Sequence, residues 1–213
     1  SDQFGTSTTE WYNSVISGNS CLFSGGAIAF GDSVILSNLT ITQNSILWNN
    51  DDGQAISGSG NLTITNSIIR ENMGSTNNDN EIEFGTGTLN MSYTNLSGAD
   101  SSINLGGQGA LNWGEGNVDI DPLFVDADND NYHLLATSQL INGGHPDSTD
   151  ADGTIADMGA YPYLNSYSGP IWYITESGND TTATGASDDP FRSIQSGINF
   201  SSDDDSVTAA AGT

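Results

Sequence analysis

One short string recurs along this chain and constrains its fold more than any other feature. Asn13-Ser14-Val15-Ile16, followed by Asn19, returns as Asn44-Ser45-Ile46-Leu47 with Asn50, and as Asn66-Ser67-Ile68-Ile69 with Asn72, at offsets of 31 and 22 residues. Upstream of the second and third copies, Leu39-Thr40-Ile41-Thr42 matches Leu62-Thr63-Ile64-Thr65. Leu89-Asn90-Met91-Ser92 with Thr94-Asn95-Leu96 forms a fourth, looser copy. Repeats of this length mark stacked supersecondary units, each too small to bury an apolar face alone.

Each unit alternates apolar with small polar residues and is punctuated by turn formers, as in Asp51-Asp52-Gly53 and Gly58-Ser59-Gly60, which predicts short strands joined by turns. Helix is disfavoured because Asn, Ser, Thr and Gly are poor helix formers and no helical apolar stripe persists. A two-sheet sandwich would alternate too, but nothing in it demands the same string at the same place in every unit. A solenoid does: with one unit per coil, like residues stack about 4.8 Å apart. The expected columns are Asn13, Asn44 and Asn66 as a ladder of side-chain amides, and Ile16, Leu47 and Ile69 as an aliphatic stack. Gly74 to Asn80 reads as an insertion that leaves the stack as a loop.

Composition narrows the partners. The 213 residues carry 27 Asp and Glu against 2 Lys and Arg, and the formal charge of −25 repels nucleic acid phosphates and anionic membranes. A hydrophobic content of 35% fits a thin, repetitive core better than one thick one. Cys21 is the single cysteine, so no internal disulfide forms and it reads as a buried thiol. No apolar run approaches the roughly 20 residues that cross a bilayer. The acidic surface fits a secreted or cell-surface protein in a salt-rich or calcium-rich exterior that screens self-repulsion.

The chain resembles the right-handed parallel β-helix repeat proteins of the pectin lyase-like superfamily. Besides the Asn-Ser-apolar coils, Asn117-Val118-Asp119-Ile120-Asp121-Pro122-Leu123-Phe124, Asn131-Tyr132-His133-Leu134, Asp150-Ala151-Asp152-Gly153-Thr154 and Asp157-Met158-Gly159-Ala160-Tyr161 look like the closing segment of that family, with Gln139 where its pattern has Pro. Ile171-Trp172-Tyr173-Ile174, Gly178-Asn179-Asp180 and Asp189-Pro190-Phe191-Arg192-Ser193-Ile194-Gln195 resemble its opening segment. The resemblance implies an all-β, right-handed parallel β-helix with a short capping helix near residues 190–199. In that helix Phe191, Ile194 and Ile198 would form the apolar face, and Val207 would begin the first coil after it. The expected division is residues 1–163, about five coils and a closing segment, and residues 164–213, the opening of a following unit.

Candidate chemistry is sparse. Asp147, Asp150, Asp152 and Asp157 around Gly153 are the calcium candidates, because an acidic loop with a glycine turn can converge hard oxygens on one ion. Asp126, Asp128 and Asp130 form a second cluster, and Asp203 to Asp205 read as a solvated turn. His133 and His145 lack a partner at zinc-ligand spacing. A polysaccharide lyase needs a basic residue and cations, for which the chain offers only Arg70, which reads as a counter-charge, and Arg192. A glycoside hydrolase needs a rigid carboxylate pair, for which Glu71, Glu81 and Glu83 flank a variable loop. Trp48 and Trp113 are candidates for stacking on neutral glycans. Of the Asn-X-Ser/Thr sequons at Asn38, Asn61, Asn90, Asn95, Asn179 and Asn199, Asn179 in its turn is the glycosylation candidate, while Asn38 and Asn61 would face inward. The expected role is a non-enzymatic structural or adhesive module of an extracellular fibre or surface protein, joined head to tail with copies of itself or tandem units. The alternative is a carbohydrate-binding or carbohydrate-active β-helix.

Overall fold

The computed structural model describes residues 7–47, 53–74 and 80–211; Trp48, Asn50 and positions 75–79 of the expected loop lie outside the described residues. The chain divides into two compact units, Ser1–Ile120 with Met158–Ala160, and Asp121–Asp157 with Tyr161–Thr213. The boundary between the compact units falls after Ile120, with Met158–Ala160 belonging to the first.

The first unit is a parallel β-solenoid of about four turns. Its strands are β1 (Thr8–Ser17), β2 (Ser20–Cys21), β3 (Ile28–Phe30), β4 (Ser33–Thr42), β5 (Ser45–Ile46), β6 (Ile56–Thr65), β7 (Ile68–Arg70), β8 (Ile82–Ser92), β9 (Asn95–Leu96) and β10 (Ile103–Trp113). The main sheet runs β10-β8-β6-β4-β7-β9, with β1 on β4 and β3 on β6, and all of these pairs are parallel. Coil-to-coil register builds apolar columns. Trp11, Leu36, Ile64, Met91 and Trp113 form one, and Ile16, Ile41, Ile69 and Leu96 another. Within them Leu36, Ile41, Ile64 and Ile69 are fully buried. Leu47 belongs to neither column and is 59% exposed, so the aliphatic stack contains Ile41 in its place.

The chain turns at a second kind of column. Asn13, Asn38, Asn66 and Tyr93 stack at one corner, all with left-handed backbone at φ between +48° and +55°. Asn tolerates that conformation better than most residues because its short amide can bond locally. Gly116, at φ +72°, stands beside Tyr93, and a Cβ built on it would lie 2.2 Å from the tyrosine ring. Gly18, Gln43, Glu71 and Gly98 make a further left-handed corner. Gly159 and Ala160 donate their amides to the Asn66 carbonyl and the Thr40 hydroxyl, tying 158–160 to this unit.

The second unit holds the antiparallel pair β11 (Phe124–Asp126) and β12 (Asn131–Leu134), then β13 (Ile171–Ile174), the helix α1 (Ile194–Phe200) and β14 (Ser206–Ala209). β13 and β14 pair in parallel, with α1 on the connection between them, consistent with the expected capping helix. The helix face differs from expectation. Ile194 and Ile198 are 57% and 52% exposed, while Ser196 and Gly197 are buried. Gly197 permits this: a Cβ there would stand 2.8 Å from Val207 and 3.0 Å from Ile174. Phe191 leaves the helix altogether and packs with Trp172, Ile174, Ala136 and Ala183.

Candidate assembly end and candidate ligand cleft

The amide ladder exists, with different members from those the repeated string predicts. Asn19, Asn44 and Asn72 stack: the Asn44 Oδ1 accepts the Asn19 amide N–H at 3.1 Å and its Nδ2 at 3.0 Å, and the Asn72 Oδ1 accepts the same pair from Asn44 at 3.0 and 2.9 Å. Each Nδ2 also reaches back one coil, from Asn44 to the Ile16 carbonyl at 2.8 Å and from Asn72 to the Ile41 carbonyl at 3.1 Å. Asn13 and Asn66 instead belong to the left-handed corner with Asn38. The string at 44–47 is therefore a later strand of the second coil, and the true counterpart of Asn13-Ser14-Val15-Ile16 is Asn38-Leu39-Thr40-Ile41.

Glu81 terminates the ladder, accepting the Asn72 Nδ2 at 2.9 Å. It is only 3% exposed. Burial pushes its carboxyl up to about 7, against the opposing pull of the Asn72 hydrogen bond. A carboxylate enclosed in this way does not face a substrate groove. Arg70 pairs with Asp119 and donates to Asn95 at 3.4 Å, the counter-charge role expected of it.

Asn19 is the first member of the ladder among the described residues. Among the described residues β1 pairs only with β4, and Trp11 and Tyr12 are 40% and 49% exposed. Asn19 donates to the Ser17 carbonyl and to Asn44, and its own Oδ1 accepts no hydrogen bond among the described residues. A Cβ built on Gly18 would meet nothing within 4 Å.

In the second unit the acidic loop is held by its own hydrogen bonds. Asp150 accepts the Asp157 amide at 2.8 Å, and Asp157 accepts those of Asn142 at 2.7 Å and Tyr163 at 2.6 Å. Asp152 accepts the Thr154 hydroxyl at 2.7 Å and the amides of Thr154 and Asn165. Burial raises Asp150, and it raises Asp157 to about 7. Burial also works on Asp152, but hydrogen bonds from Asn165 and Thr154 hold it below the usual carboxylate range. Asp147 donates its amide to His145, and Asp126 and Asp130 accept from Asn129 and Tyr132. Among the described residues no group of three or more His, Cys, Asp or Glu is placed to hold a metal ion. His133 stacks on Tyr161 at 4.5 Å. Asn179 is exposed in its turn, as is Asn61, contrary to the inward expectation, whereas Asn95 is fully buried with its amide on Ile120.

Sequence reasoning missed an open cleft of about 650 Å³ in this unit. Tyr167, Trp172 and Phe200 line it, with Trp172 5.1 Å from Tyr167 and 5.9 Å from Phe200, beside Asn142, Ser166 and Ser202. The Asn142 Oδ1 is buried there without a hydrogen-bond partner. These residues lie up to 60 positions apart in the chain, and no local motif links them.

Together these features define a parallel β-solenoid and, in the second unit, a partly aromatic cleft. No family model matches the sequence, and neither the curated proteins nor the solved structures hold a match to it.

Proposed function

We propose that this chain is a non-enzymatic structural or adhesive module of an extracellular surface protein or fibre, related in build to the pectin lyase-like right-handed β-helices. Its β-helix ends associate head to tail with copies of itself or with tandem units. The observation that carries this reading is the stack itself: successive coils pair in parallel with one register, so apolar columns and the Asn19, Asn44 and Asn72 ladder run from coil to coil, and Trp11 is 40% exposed in the column of Leu36 and Ile64. An unpaired strand edge is a template for strand addition, and an aromatic at the centre of a patch is a typical anchor. The charge of −25 makes such contacts depend on screening by salt.

Light scattering after size exclusion, across micromolar to millimolar protein at high and low salt, tests it. Association that grows with concentration and salt and is abolished by Trp11→Lys is expected. A monomer under every condition would refute it.

A second reading, carbohydrate binding, is favoured by the cleft. The partly exposed rings of Tyr167 and Phe200 suit the apolar face of a sugar, beside the exposed hydroxyls of Ser166 and Ser168. Neutral oligosaccharides titrated against the tryptophan fluorescence of the chain and of Tyr167→Ala test it; an unchanged signal in both refutes it.

A further inference from the structure

Among the described residues that line the cleft of the second unit, Asp152 is the only charged side chain. Its carboxylate accepts the Thr154 hydroxyl at 2.7 Å, the Thr154 amide at 3.1 Å and the Asn165 amide at 2.8 Å. A carboxylate offers about four acceptor positions, so one is left for a ligand. Burial pushes this carboxyl up, but the hydrogen bonds outweigh it and hold the group below the usual range, so Asp152 is anionic at neutral pH.

Asn165 ties that charge to the aromatic wall. Its amide is the one on Asp152, its Oδ1 accepts the Tyr167 amide at 2.9 Å, and its Nδ2 donates to the Thr184 carbonyl at 3.0 Å. The Tyr167 hydroxyl donates to the Ile171 carbonyl at 2.6 Å. Trp172 stands at 83° to the Tyr167 ring, with its Nε1 donating to Asp205 at 2.9 Å. Tyr167 is thus fixed through both its backbone and its hydroxyl, and ring and anion are positioned before any ligand arrives.

We infer that this cleft takes a sugar bearing a protonated amine, of the glucosamine type, with its ring against Tyr167 and Phe200 and its ammonium at Asp152. The inference rests on the carbohydrate-binding reading of the same cleft and adds the substrate class. An acidic sugar would bring a second anion to Asp152, in a chain of formal charge −25 whose two arginines, Arg70 and Arg192, do not line the cleft. A neutral sugar stacks on the rings and reaches Ser166 and Ser168, but leaves the Asp152 charge unmatched. An amino sugar meets both walls. Its C–H face covers the rings, and its ammonium donates to Asp152 in a charge-assisted hydrogen bond, roughly twice as strong as a neutral one. The acidic chain draws cations in from a distance, while Asp152 and Tyr167 decide where this one stays.

Oligosaccharides of the same linkage and length that differ only in the substituent beside the anomeric carbon provide the test: glucosamine with an ammonium, N-acetylglucosamine with an acetamide, and glucose with a hydroxyl. Each is titrated by calorimetry into the whole chain at about pH 6, where a sugar amine is protonated, and at about 0.15 M salt, which screens general attraction. The glucosamine oligomer is expected to bind at least tenfold more tightly than the other two. That advantage should fall below threefold in Asp152→Asn, and binding should drop at least tenfold in Tyr167→Ala. If Asp152→Asn fails to fold, the three sugars on the parent and on Tyr167→Ala still decide the matter. Equal affinity for all three would overturn the amino-sugar assignment and leave the carbohydrate reading in place. A glucosamine preference undiminished in the folded variants would reflect the net charge of the chain and overturn the assignment too. No binding of any of the three would overturn both.

Discussion

Glu81 offers the most direct check on the solenoid interior, because a buried acid at the foot of an amide ladder reverses the usual pH dependence of stability. Its carboxyl stands at about 7 in the folded chain against an ordinary 4.5. The folded-state value is raised, so its contribution is fully present below about pH 4.5 and is lost as the pH climbs through about 7. At about 1.36 kcal/mol per pH unit the gap is worth roughly 3 kcal/mol, an order-of-magnitude figure. Asp157, raised from 3.8 to about 7 by burial, acts in the same sense. General repulsion among the acidic side chains also relaxes on acidification, so the comparison must be between variants.

Glu81→Gln keeps an oxygen for the Asn72 amide and removes the charge. Urea unfolding followed by tryptophan fluorescence from pH 5 to 8.5, above the isoelectric point near 4.1, is the assay. The variant should be more stable than the parent by about 2 kcal/mol at pH 8.5, with the advantage vanishing toward pH 5. Glu115→Gln, at an exposed glutamate, should leave the pH slope nearly unchanged. Parallel pH profiles for Glu81→Gln and the parent would refute the reasoning.

The other expectations concern backbone and ladder. Asn44→Leu strips hydrogen bonds from Asn19, Asn72 and the Ile16 carbonyl, and should lower unfolding free energy by about 3 kcal/mol in the same urea assay. Asn38→Val should cost about 1–2 kcal/mol more than Asn38→Gly, because a β-branched residue resists the left-handed corner; equal losses would count against that corner. Asp180 accepts from the amides of Arg192 and Ser193 and the hydroxyls of Ser193 and Ser196, and these hold its carboxyl below the usual range despite burial. Its stabilisation is present above about pH 4 and fades only as the pH falls through its lowered value. Asp180→Ala should therefore loosen α1 at neutral pH, seen as faster amide exchange across Ile194–Phe200.

The alternation of Ile, Leu and Val with Ser and Thr, broken by Asn and Gly, was enough to determine stacked parallel strands, because a period of two with recurrent turns leaves a thin solenoid as the economical way to bury so little apolar surface. Which Asn stacks on which was beyond it. Asn38-Leu39-Thr40-Ile41 and Asn44-Ser45-Ile46-Leu47 lie six residues apart, and the second matches the repeated Asn-Ser-apolar-apolar string more closely although the first holds the equivalent place in the coil. Only the left-handed corner at Asn38 and the contact of Asn44 with Asn19 and Asn72 separate them. The exposed Ile194 and Ile198, and the cleft assembled from Asn142, Tyr167, Trp172 and Phe200, have the same origin. Burial and proximity are properties of the packed chain, and residues distant in sequence acquire them only when the coils and loops close on one another.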